Sequence, residues 1–164
     1  MKKFCLFAVC SLVLFVATPL ARAQGGVKQG PGIVRDLDLE KDALHNLEVA
    51  RQYFKLRKAY VASLQRCEEV IAGYRDFSKI DEILFMAGES SLNLAEHRGK
   101  QAPSMYVIHN GDQKRTLSAE EFRDLARDYL SQLVNDFPDS KFRKQAEDDL
   151  KALGGPKPKD SGKQ

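Results

Sequence analysis

The sequence predicts an all-α fold in which antiparallel helical hairpins stack side by side, with one inserted loop or small hairpin. Three observations carry that expectation. Apolar residues recur at helical spacing in five blocks, capping and stop signals sit at the block edges, and every link but one is short enough to force antiparallel neighbours.

The chain opens with Lys2 and Lys3, an apolar run from Phe4 to Ala17, then Pro19 and Ala21-Arg22-Ala23. Charge, apolar core and small-x-small site in that order read as a secretory signal peptide over residues 1–23, which implies export to the periplasm. The run is shorter than the ~20 residues of a permanent bilayer-spanning helix. Residues 24–35 (QGGVKQGPGIVR) are rich in Gly and Gln and read as a flexible linker.

The helical domain is expected over 36–153. Its stripes are Ala43, Leu47, Ala50 and Phe54; Tyr60, Leu64, Cys67, Ile71 and Tyr74; Ile80, Leu84 and Ala87, widened by Ile83 and Leu94; Phe122, Ala126, Tyr129 and Leu133, broadened by Leu130; and Phe142, Ala146, Leu150 and Leu153. Ser78 and Ser118 precede helices and are followed three residues later by Asp81 and Glu121, the capping-box spacing. Pro138 stops the fourth helix, because the residue before Pro is pushed out of helical space, and Ser140 is placed to cap the fifth. The exception among the links is 96–117, in which Met105 to His109 reads as a strand entering a type I′ turn at Asn110-Gly111, with a weak return strand from Asp112 to Arg115. Residues 154–164 (GGPKPKDSGKQ) have no apolar residue to bury and read as a disordered tail.

Composition narrows the function classes. The formal net charge of +3 resides in Lys2, Lys3 and Arg22, so the exported chain would carry equal numbers of acidic and basic residues. Overall charge therefore gives no reason to expect a nucleic-acid partner, and membrane association is expected only through a partner. Beyond Cys5 and Cys10 in the leader, Cys67 stands alone, so no intramolecular disulfide is available to the folded domain. Neither leader cysteine follows a Leu-x-small pattern at the end of the apolar core, and lipid attachment is not expected.

Two stretches repeat one pattern. Aligning Tyr74-Arg75-Asp76 with Phe137-Pro138-Asp139 sets Ser63, Cys67 and Val70 against Ala126, Leu130 and Leu133. This small, large, apolar order resembles the second helix of a tetratricopeptide repeat, and Leu84-Phe-Met-Ala87-Gly88 resembles the signature of the first. The stretches from Cys67 to Glu89 and from Tyr129 to Phe142 are similar to repeats of the outer-membrane protein assembly lipoprotein family BamD. They also resemble the periplasmic repeat domain of the Tol-Pal-associated cell-division coordinator. The resemblance spans roughly 42–153 and implies a short tetratricopeptide-like superhelix of about two and a half repeats, acting as a protein-binding adaptor in outer-membrane protein assembly or in cell-division coordination. Self-association through uncapped repeat ends is a further reading. The chain departs from BamD in having fewer repeats, in lacking a lipid-attachment motif, and in carrying Arg75 where Pro is usual.

Stacked hairpins make a curved array whose first helices line one face, the usual docking surface of such repeats. Transferring the groove positions by resemblance gives His45, Glu48, Gln52 and Lys55 from the first helix and Glu82, Phe85 and Glu89 from the third. Phe85 would either anchor a partner or pack on a neighbouring helix. Met105, Tyr106, Val107 and Ile108 in the insertion form a second candidate surface, which either folds back onto the helices or awaits a partner. An enzyme is not expected. His45, His97 and His109 lack Cys or Glu at ligand spacing, no metal or other cofactor is implied, and Cys67 lies on a buried stripe as an inert thiol. The enzymatic alternative places His97 and His109 in a metal-binding lid. Glu68-Glu69 and Asp148-Asp149 are expected on solvated faces, because helical neighbours point about 100° apart.

Overall fold

The computed structural model describes residues 37–158, so the expected signal peptide and linker lie outside the described residues, as does the tail from 159 onward. Five α-helices and one two-stranded sheet follow in the order α1 (Leu37–Arg51), α2 (Tyr60–Gly73), α3 (Ile80–Ala95), β1 (Val107–Asn110), β2 (Gln113–Thr116), α4 (Ala119–Asp136) and α5 (Arg143–Ala152). The all-α expectation thus holds for a mostly helical chain with one small sheet.

Each predicted stripe becomes a buried seam. Ala43, Leu47 and Ala50 of α1 meet Leu64, Cys67 and Val70 of α2 and Ile83 and Ala87 of α3 in one core, while Leu84 and Phe85 meet Leu130, Leu133, Ala146 and Leu150 in a second. The six residues paired in the repeat alignment, Ser63, Cys67, Val70, Ala126, Leu130 and Leu133, are all fully buried. α3 belongs to both cores and buries twelve of its sixteen residues, the pattern of a central helix.

Paired contacts give the directions. Ser63 Oγ lies 3.1 Å from Ser90 Oγ, joining the start of α2 to the end of α3. Gly88 abuts Leu130, and Leu94 shares a cleft with Phe122, so α3 and α4 also run antiparallel. Across the stack, Ser140 Oγ donates to Asp81 at 2.7 Å, Phe85 stacks on Phe142, and Glu89 hydrogen-bonds Asp149. These contacts advance together, so α3 and α5 are parallel. α1 lies on the other side of α3, with Glu40 bonded to Ser78 and Arg51 to Glu82.

Helix ends differ in detail from expectation. Ser118 and Glu121 form the full capping box, at 3.2 Å and 2.8 Å. Ser78 does not cap α3: its hydroxyl is engaged by Glu40 of α1, and Lys79 occupies the cap position with no side-chain bond. Ser140 serves α5 one step removed, accepting the Phe142 N–H at 3.2 Å. The first stripe runs past α1 into a π-helical segment, Gln52–Arg57, closed by Lys58 in the left-handed region (φ 49°), where Phe54 packs edge-on against Tyr60. α3 ends in a Schellman motif, with His97 (φ 54°) where Gly is usual and Arg98 N–H reaching the Asn93 carbonyl at 2.8 Å.

The inserted hairpin is ordered. Its register pairs Val107 with Thr116 and Asn110 with Gln113, which puts Gly111-Asp112 at the corner, one residue beyond the predicted turn. Among those two only Gly111 has positive φ (62°), the pattern of type II′ rather than I′. The loop ahead of it docks on the α1–α2 corner. Lys100 N–H donates to the Lys58 carbonyl at 2.9 Å, and Gln101 Oε1 accepts the free Ala62 N–H in the first turn of α2 at 3.0 Å. At the other end, Gly154–Lys157 contradicts the expected disordered tail. Arg127 Nε donates to the Gly155 carbonyl at 2.6 Å and Lys157 N–H to Ser131 Oγ at 2.8 Å, strapping the segment along α4.

Candidate functional site

α1, α3 and α5 form one layer, and the groove residues drawn from the sequence lie on it. His45, Glu48, Gln52 and Lys55 are exposed on α1 and its π-helical extension. The three α3 residues are not free. Glu82 is 7% exposed and receives a bidentate pair from Arg51, with Nε and Nη2 each at 2.6 Å, while Arg51 also reaches Glu48. The Arg51 hydrogen bonds hold the Glu82 carboxyl below its usual range, with Lys141 and Lys55 adding to the effect, and Glu82 in turn raises the Arg51 guanidinium.

Phe85 is buried rather than exposed as an anchor. Its ring stacks on Phe142 of α5 with centroids 4.7 Å apart and planes 14° from parallel, and Lys141 Nζ sits 4.8 Å from the Phe142 centroid. Glu89, half-buried, faces Asp149 and Gln145 of α5. Burial comes first, and the hydrogen bond to a second carboxyl next, in pushing the Glu89 carboxyl up to about 8. Asp149 Oδ2 is buried with no hydrogen-bond partner, and a protonated Glu89 spares this pair the repulsion of two charged carboxylates. The α3 residues therefore join α1 to α5, and the exposed side chains of these helices lie on the flanks. Arg51 was not singled out from sequence, Phe142 was read only as part of the fifth apolar stripe, and Asp149, expected on a solvated face, is instead partly buried against α3. The continuous apolar run Ile83 to Gly88 was the available signal that α3 is covered all round.

In the insertion, Tyr106 folds back and is buried, its hydroxyl donating to Glu68 Oε1 at 2.7 Å and its ring edge-on to Phe122; Tyr129 donates to the same oxygen at 3.1 Å. Ile108 packs on the core, Val107 is half-buried, and Met105 stays 55% exposed. Glu68 is thus not on a solvated face: burial raises its carboxyl against the lowering effect of both hydroxyls. Glu69 and Asp148 are exposed, as expected.

His97 lines a cleft of about 320 Å³ with Leu94, Pro103, Leu117 and Phe122, whereas His109 is exposed on β1 opposite Lys114. Among the described residues no group of three His, Cys, Asp or Glu side chains could hold a metal ion. Burial pushes the Cys67 thiol well above its ordinary range. No described helix is long and apolar enough to cross a membrane. Compared with protein-family models, curated proteins and solved structures, the chain matches none.

Proposed function

We propose that the chain is a non-enzymatic, protein-binding adaptor of the bacterial envelope, built as a short tetratricopeptide-like array and acting in outer-membrane protein assembly in the manner of the BamD family. The observation that carries this reading is the two-layer order of the helices. α1, α3 and α5 lie side by side, with α2 and α4 behind them, and small residues at Ser63, Ser90 and Gly88 allow close approach between layers. That order supports a repeat array with one shared face. The leader over 1–23 supports export to the periplasm. The flanks of the face carry His45, Glu48, Gln52 and Lys55 on one side and Lys141 and Gln145 on the other, a polar frame suited to an extended peptide or partner helix.

A photo-crosslinker placed singly at Glu48, Gln52 or Gln145 tests this in the native periplasm, with Gln65 and Gln132 on the opposite layer as controls. The expected result is capture of β-barrel assembly components from the face positions alone. Capture of Tol-Pal components would move the assignment to cell-division coordination, capture of the chain itself would indicate a self-associating scaffold, and equal capture from both layers would refute the face.

A further inference from the structure

The small formal net charge of +3 conceals a local segregation of charge among the described residues. The loop after α3 meets the end of the π-helical segment through the Lys100 to Lys58 backbone bond, which brings Lys55-Leu-Arg-Lys58 beside Arg98-Gly-Lys100. The two segments hold five Lys and Arg residues and no Asp or Glu. Arg98 pairs with Glu96 at 2.8 Å, and Lys55 feels Glu82, whose charge is already met by Arg51. Arg57, Lys58 and Lys100 form no ion pair among the described residues, and all three are exposed. Arg57 instead stands over the Tyr53 ring, 5.6 Å from its centroid. Folding thus gathers like charges at one corner, an arrangement that favours an external anion.

The same corner presents Leu56 at 78% exposure, between Lys55 and Arg57. A lone exposed leucine is ordinary. One set among unmatched cations is not accounted for by a soluble anion, since neither free phosphate nor a polynucleotide backbone offers it an apolar environment. An anionic bilayer supplies both requirements, phosphates at the surface and hydrocarbon just beneath. Leu56 is in a π-helical turn that buries no residue, so neither the leucine nor its cationic neighbours serve the core.

We propose that this corner docks on an anionic phospholipid surface, with Lys55, Arg57, Lys58 and Lys100 meeting head-group phosphates and Leu56 entering the acyl boundary. Membrane association then belongs to the chain itself, through a corner that shares only Lys55 with the partner face.

Co-sedimentation of the full chain with vesicles of equal phosphatidylglycerol and phosphatidylcholine, and with phosphatidylcholine alone, tests it. Parent and variants share the N-terminal apolar run, so their differences report the corner, and circular dichroism verifies that each is folded. Binding to the anionic vesicles is expected to fall about fivefold for each of Arg57→Gln, Lys58→Gln and Lys100→Gln. It should fall about tenfold for Leu56→Ser. Raising the salt should weaken the parent more steeply than the triple-glutamine variant, which keeps Lys55. Equal binding of parent and triple variant overturns the proposal. So does a loss on removing charge with none for Leu56→Ser, or single-stranded DNA bound as tightly as the vesicles; either outcome would make the corner a polyanion site.

Discussion

Gly99 holds the α3 loop against the α1–α2 corner, and its replacement by Ala is expected to be among the costliest single-methyl additions in the described chain. Its φ is +93°, and a Cβ built there would lie 2.5 Å from the Lys58 carbonyl oxygen and 2.6 Å and 2.7 Å from the Tyr60 ring. The backbone conformation alone costs an L-residue about 1–2 kcal/mol. No rotamer change moves a backbone oxygen, so the loop must withdraw. That removes the Lys100–Lys58 bond, about 1 kcal/mol, and loosens the Gln101 cap on Ala62, about 1 kcal/mol more. The total of about 3–4 kcal/mol would shift a urea midpoint by roughly 1.5–2 M at a slope of about 2 kcal/mol per M. Gly111 supplies the control, with φ +62° and nothing within 4 Å of an added Cβ, so Gly111→Ala should cost only the conformational part. If Gly99→Ala is no more destabilising than Gly111→Ala in urea unfolding, the docking argument is wrong.

Gly88→Ala gains about 1 kcal/mol of helix propensity but sets a Cβ 2.6 Å from Leu130 Cγ and Cδ2, so net destabilisation of about 1–2 kcal/mol is expected. In a double-mutant cycle with Leu130→Ala the pair should cost less than the sum of the singles, and simple additivity would exclude the contact. Glu89 is held protonated up to about 8 against an unfolded value near 4.5, so the native state carries the extra proton between those values and stability should decline as pH rises through that window. Because Glu89 is only half-buried, solvent screening limits the change from pH 6 to 9 to about 1–2 kcal/mol. Glu89→Gln should flatten the profile of denaturation midpoint against pH, and an unchanged profile would refute the protonated Glu89. The Cys67 thiol, buried and raised, should react with a thiol reagent only at the rate of global unfolding; fast labelling of a Cys5→Ser/Cys10→Ser chain under native conditions would place Cys67 elsewhere than in the core.

The helices were legible because their evidence is local. Ala43, Leu47 and Ala50 or Phe122, Ala126 and Leu133 need only a 3.6-residue period to declare a buried face. What escaped the sequence depends on residues far along the chain. Ser78 has the spacing of a cap, but Glu40, thirty-eight residues away, competes for its hydroxyl. Glu68 was read as solvated because its neighbour is Glu69, yet hydroxyls from the insertion and from α4 converge on it. The hairpin was visible in Asn110-Gly111 but its register was not: placing Gly111 first in the turn instead of second shifts the corner by one residue. The tail from Gly154 to Lys157 had no apolar residue to predict order, and it is held by Arg127 and Ser131, donors and acceptors on which composition is silent.

The groove candidates failed on α3 for a related reason with a functional consequence. Transfer by resemblance chose the positions that face the shared surface, but a helix flanked on both sides uses those positions to hold its neighbours. Two carboxylates on α3 do this with opposite chemistry. Glu82 joins α1 through a cation that favours its charged form, so that joint is intact above the ordinary carboxylate range and is lost as pH falls through the depressed value. Glu89 joins α5 through the proton it retains, and that joint weakens as pH rises toward 8. The face is therefore most rigid between these limits, with α1 the first helix to loosen in acid and α5 the first in alkali. A partner read by the flanks would register either change as altered spacing of α1 and α5. Glu82→Gln should thus weaken partner binding through α1 without Glu82 touching the partner, and proteolysis at acid pH should open the variant at α1 before α5.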